Sequence, residues 1–147
     1  MSIGSPLSYR SLVAATLSRL ARVCREGEAR FRHAADRALV DALRDVLLRW
    51  ARERARFAHE LEMEANLLGG MGPMMESRVF SHPPAIEPKC DKQRVDACAA
   101  SEADALVEYE RALRTTLPEE LERLLRVQHA AIREAMMRLD QVGRGAA

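Results

Sequence analysis

At 147 residues, 48% of them apolar, the chain has the size of one domain and enough hydrophobic material for a sizeable core. A formal net charge of +1 gives no general case for a nucleic-acid or membrane partner, and 21 arginines against two lysines read as coding bias rather than as a binding surface. Met1 to Tyr9 lack a basic region followed by an apolar run, and no apolar stretch approaches the roughly 20 residues of a membrane span, so a soluble cytoplasmic protein is expected.

A flexible N-terminus over 1–8 precedes the first helical pattern, 9–35, which carries Val13, Leu17, Leu20, Cys24, Phe31 and Ala35 on one face. The second pattern, 39–68, carries Leu43, Leu47, Trp50, Phe57, Leu61 and Leu68. Only Asp36 to Ala38 separate the two, which predicts an antiparallel hairpin. Gly69, Gly70, Gly72 and Pro73 stop the second helix, and Pro83, Pro84 and Pro88 keep regular helix out of a long crossover over 69–91. A third helix is expected over 92–115. A fourth, over 118–142, opens on Pro118, Glu119 and Glu120 and turns Leu121, Leu125, Ile132, Ala135 and Leu139 inward. The last residues, 143–147, read as a disordered tail. Hairpin, crossover, hairpin predicts an all-α, ferritin-like four-helix bundle over 9–142.

Two segments repeat a pattern: Cys24, Glu28, Phe31, Ala35 and then Cys98, Glu102, Ala105, Tyr109, at offsets of four, three and four. This spacing predicts a carboxylate on the core face of the first and third helices. On the second helix Arg54 falls between Trp50 and Phe57, and on the fourth Gln128 falls between Leu125 and Ile132. The interior is therefore expected to hold Glu28, Arg54, Glu102 and Gln128, with both glutamates sharing the guanidinium. The alternative is an iron or manganese site on Glu28 and Glu102. Di-iron bundles also take Glu-x-x-His from two helices, and neither the second nor the fourth helix supplies it.

Cys24, Cys90 and Cys98 lack a CxxC pair and read as free thiols. His33 and His59 read as solvent-facing across the first hairpin, His59 and His129 lie off the apolar stripes, and His82 with Cys90 makes only half a zinc site. Met63, Met71, Met74 and Met75 suit packing of the crossover onto the bundle. Arg44, Arg49, Arg52 and Arg56 alternate with Asp41, Asp45 and Glu53, a salt-bridged solvated face, and no phosphate loop or nucleophile motif is present.

Gly27 to Phe31 followed by Ala34 and Ala35, the Arg54, Phe57, Glu60, Leu61 stretch, Glu102 seven residues before Tyr109, the Leu117-Pro118 helix opening and Gln128 together resemble an uncharacterised ferritin-like four-helix family often found in proteobacteria, domain of unknown function 2383. The resemblance spans about residues 10 to 140 and implies chiefly the fold. Met136 and Ala131 stand where that family often has a histidine and an acidic residue, so the polar role of those positions is not carried over. The leading expectation is a non-catalytic bundle with a structural or protein-interaction role, without catalytic residues or cofactor, and pairing as a homodimer. The alternatives are a ferritin-like oxidoreductase or iron-handling protein, and a dimer with a ligand cleft near Met71 to Phe80.

Overall fold

The computed structural model describes residues 6–69 and 87–146, and they form four α-helices: α1 (Pro6–Arg37), α2 (Asp41–Leu67), α3 (Asp91–Leu113) and α4 (Glu119–Ala146). The crossover over 70–86, with Met71, Met74, Met75 and His82, lies outside the described residues, as do most of the N-terminal segment and Ala147. Among the described residues no helix is long and apolar enough to cross a membrane.

Three of the helix boundaries have identifiable causes. Asp41 opens α2 after Val40, which is extended and offers no side-chain cap. The missing cap comes from α3: the Asp91 carboxylate accepts from the Leu39 and Val40 amides at 3.0–3.1 Å and from Arg94 Nη1 at 2.9 Å. Of these donors the Val40 N–H is one of the free amides at the start of α2, Leu39 belongs to the turn before it, and the anion suits the helix dipole. At the other end of α2, Gly69 takes φ 84° and donates to the Asn66 carbonyl, a left-handed conformation that glycine adopts without penalty. Three glutamates, Glu119, Glu120 and Glu122, occupy the first turn of α4.

Both ends extend beyond the sequence reading. Helix α1 begins at Pro6, inside the segment expected to be flexible, and α4 continues through the expected tail to Ala146. Gly143 explains the second difference. It is buried against α3, where a Cβ would lie 3.3 Å from Val95 Cγ1, so α4 still packs on α3 at this position, while Arg144 and Gly145 beyond it are exposed.

Helix α1 packs chiefly on α2, α3 on α4, and α1 also on α3, while α2 and α4 touch far less. Between α1 and α2, Arg10 reaches the Leu67 carbonyl and Arg44 the Ala35 carbonyl. Between α1 and the α3 region, Tyr9 meets Thr116, Cys24 meets Tyr109, and Cys98 approaches the Arg30 carbonyl. Between α3 and α4, Glu110 meets His129 and Val95 faces Gly143. The apolar core divides into two clusters. One is built around Leu17, Leu20, Phe57, Leu61, Leu125 and Ile132, the other around Phe31, Leu47, Trp50, Val95 and Leu139. A polar layer separates them.

Candidate functional site

That layer forms because α2 places an arginine where its stripe demands an apolar residue. Arg54 and Glu102 are each 1% exposed. Arg54 Nε donates to Glu102 Oε1 at 3.1 Å, its Nη2 donates to the same oxygen, and its Nη1 donates to Glu53 Oε1 at 2.7 Å. The guanidinium lies between two aromatic rings, 5.6 Å from the Phe31 centroid and 5.5 Å from that of Phe57. Trp50 extends the aromatic wall, with its ring 5.8 Å from Phe31. Cation–π contact of this kind offsets part of the desolvation that a buried charge suffers.

Gly27 of α1 faces the pair. Its missing side chain leaves space in which a Cβ would stand 3.6 Å from Glu102 Oε2 and 3.7 Å from Arg54 Cγ. These are ordinary contact distances, so alanine fits and regains helix propensity of up to about 1 kcal/mol. Gly27→Ala is expected to leave the melting temperature unchanged or raise it. Gly27→Leu should lower stability by about 1–3 kcal/mol by overpacking the pair, and thermal melts of the two variants distinguish these outcomes.

The Glu28 expectation is corrected here. Glu28 does not join Arg54 and Glu102. Its side chain is 19% exposed and bridges Arg25 and Arg32 on α1 itself. The inward positions of this stretch are Cys24, Gly27, Phe31 and Ala34, so the step after Cys24 is three residues rather than four. Helix phase sets Gly27, and not Glu28, on the line of Cys24 and Phe31 that faces Arg54 and Glu102.

Gln128 is fully buried, one layer away from Arg54, in a second network. Tyr109 Oη donates to Gln128 Oε1 at 2.7 Å, and Gln128 Nε2 donates to Glu60 Oε1 at 2.9 Å. Cys24 Sγ lies 3.1 Å from Tyr109 Oη. Since the tyrosine hydrogen is committed to Gln128, the thiol is the donor in that contact. The chain therefore runs from a buried thiol through a phenol and an amide to a half-exposed carboxylate.

Electrostatics keep both networks in one protonation state. Burial works against the charge of Arg54, but Glu102 and Glu53 outweigh it and hold its pKa above the usual arginine value. Burial pushes the Glu102 carboxyl up, against the pull of Arg54. Burial likewise pushes Cys24 and Cys98 up to about 12, with Glu102 adding to the effect at Cys98, and it raises Tyr109 well above the phenol range. A thiol held protonated in this way is no nucleophile at neutral pH.

Of the other singled-out residues, His33 bonds Glu87 and Arg37 rather than His59, and His129 bonds Glu110. Cys90 is exposed at the start of α3, and all three cysteines are free. Among the described residues no three of His, Cys, Asp and Glu converge on one point. Two buried side-chain polar atoms lack a partner among the described residues, and neither lies in the central layer. Gly27, Glu53, Glu60, the Phe31–Phe57 sandwich and the Cys24–Tyr109 contact are additions to the sequence-predicted set. The inward stripe names Cys24, Phe31 and Tyr109 as core residues, but their polar and cation–π partners come from other helices.

No family model matches the chain, and no curated protein matches it.

Proposed function

We propose that this chain is a ferritin-like, non-catalytic four-helix bundle with a structural or protein-interaction role in the cytoplasm, its interior closed by a protein cation in place of metal ions. The observation that carries this reading is the Arg54 guanidinium fixed between Phe31 and Phe57 and bonded to both Glu102 and Glu53. A cation entering the same layer would meet like charge and a carboxylate already engaged.

The interhelix contacts support the ferritin-like order. In α1–α2, α1–α3 and α3–α4, residue numbers rise along one helix while they fall along its neighbour, as antiparallel packing requires. With α1 antiparallel to both α2 and α3, the order is up-down-down-up, which needs a crossover running the length of the bundle. The resemblance of Gly27–Phe31, Arg54–Leu61 and Leu117–Pro118 to the ferritin-like family of unknown function fits the same order.

Metal content tests the reading. Protein produced in medium supplemented with iron and manganese is expected to carry less than about 0.1 metal ion per chain after desalting, since a guanidinium already neutralises the interior carboxylates. Stoichiometric iron or manganese that disappears in Glu102→Gln would overturn it in favour of a metal-handling protein.

A further inference from the structure

A groove of about 350 Å³ opens along the seam between α2 and α4, two helices that touch far less than the other neighbours do. Its floor is apolar, made by Val46 and Trp50 of α2 and by Ala135 and Val142 of α4. Its rim is charged, with Arg49 and Glu53 on α2 and Glu134 and Arg138 on α4. Arg49, Glu134 and Arg138 are exposed, and the Glu53 side chain is 29% exposed, so all four are open to a partner. An apolar floor inside a polar rim is the usual anatomy of a protein interface.

The rim charges do not close the groove within one chain. Glu60 of α2 meets Gln128 of α4 at 2.9 Å, which fixes the register of the two helices. With α2 and α4 antiparallel, as in the up-down-down-up order, that register sets Glu53 level with Glu134 and Arg49 level with Arg138, each to within one residue. Like charge faces like charge at both levels. Among the described residues no ion pair joins α2 to α4, whereas Arg25 of α1 reaches Glu62 of α2 and His129 of α4 reaches Glu110 of α3. Arg49 has no ion-pair partner among the described residues, and Glu53 gives Oε1 to Arg54 while its Oε2 stays unengaged. Glu134 and Arg138 hold each other at 3.1 Å, but their side chains are 64% and 60% exposed, and such a pair is worth little in water.

A second copy supplies the opposite charges. Arginine precedes glutamate by four residues on α2, and glutamate precedes arginine by four on α4. A two-fold axis lying across both helices, midway between the charges, reverses each helix against its counterpart. The midpoints are Ala51 on α2 and Met136 on α4, which the Glu60–Gln128 register places at one level to within a residue, so one axis serves both helices. We propose that the α2–α4 groove is the face on which this chain pairs with a second copy, Arg49 meeting the partner's Glu53 and Arg138 the partner's Glu134. Arg54 keeps Glu53 Oε1, and the pairing uses the other oxygen. This pairing rests on the reading of the chain as an interaction bundle and names its partner.

Sedimentation equilibrium is expected to give twice the 16.5 kDa chain mass. Glu134→Arg and Arg138→Glu, each checked by circular dichroism to be folded, set like charges against each other across the axis. Each is expected to raise the dimer dissociation constant about tenfold or more. Mixed in equal amounts they should associate about as tightly as the parent, because one chain then offers only positive charge at these positions and the other only negative. Loss of the pair within α4 would not be mended by mixing. Arg133→Glu makes the same charge change on α4 outside the groove and should leave association unchanged. A monomeric mass throughout the accessible concentration range would overturn the proposal. So would single variants that pair as tightly as the parent, a mixture no tighter than its components, or a monomer that carries another bound species in native mass spectrometry. Each of these failures leaves the metal-content result unchanged, and stoichiometric metal would overturn the central reading without altering the dimer mass.

Discussion

Arg54→Ala is expected to cost about 3–5 kcal/mol, because it strips a buried carboxylate of its counter-ion and leaves space between two aromatic rings. For a chain of this length that is a fall in melting temperature of roughly 10 °C. Arg54→Met should be less harmful. Its apolar stem fills the same slot, and Glu102, whose pKa burial already raises, meets the loss of its partner by taking up a proton. A carboxyl with a raised folded-state pKa stabilises the native state below its unfolded pKa, and that contribution is lost as pH rises through the folded value. Stability of Arg54→Met should therefore fall as pH rises from the acid side toward neutrality, more steeply than in the parent. Arg54→Met with Glu102→Leu removes both charges and should return to within about 1 kcal/mol of the parent, or exceed it, with no such slope. Denaturant midpoints of the three variants across pH 4 to about 8 measure all of this. A Met/Leu double variant as unstable as Arg54→Ala would show that the pair stabilises the fold beyond the neutralisation of its charges.

Alkaline pH should weaken the fold through its buried thiols. Cys24 and Cys98 lie near 12 in the folded chain against about 9 for an ordinary thiol. The sign is that of groups with raised pKa: their contribution is complete below pH 9 and disappears as pH climbs toward 12. Three pH units at about 1.4 kcal/mol each make this on the order of 4 kcal/mol per thiol, the difference between 12 and 9 being the shift at both. Cys24→Ala/Cys98→Ala is expected to begin with a lower midpoint at pH 7, since buried volume is lost, and to show a shallower decline above pH 9. Thiol labelling gives an independent check. Exposed Cys90 should react at once and the other two only as fast as the bundle opens, so a native chain that labels all three thiols rapidly would contradict their burial.

Much of this was legible in the chain itself. The periodic stripes, the glycines after Leu68 and the acidic opening after Pro118 mark four helices whose interiors agree with the buried set. Arg54, Glu102 and Gln128 were also readable as interior polar residues, since each interrupts an otherwise apolar stripe. Glu28 was not. A residue three positions after Cys24 and one four positions after it both lie close to the same helix face, because 3.6 residues per turn falls between them. One-dimensional spacing leaves Gly27 and Glu28 nearly equivalent. The end of α4 is illegible for a similar reason: Gly143 reads as a helix breaker, and only the tertiary structure sets it against Val95 of α3.

The amino-acid sequence by itself determined that this protein is helical, how many helices the described residues form, and which polar side chains break their apolar faces, because periodicity and turn chemistry are local properties. Tertiary structure alone decided that α1 turns Gly27 rather than Glu28 toward the Arg54–Glu102 pair, that Asp91 of α3 holds the turn entering α2, and that Cys24, Tyr109, Gln128 and Glu60 join in one hydrogen-bonded chain. Each of those depends on what a different helix presents across a shared volume, and no spacing within one helix records the contents of its neighbour's.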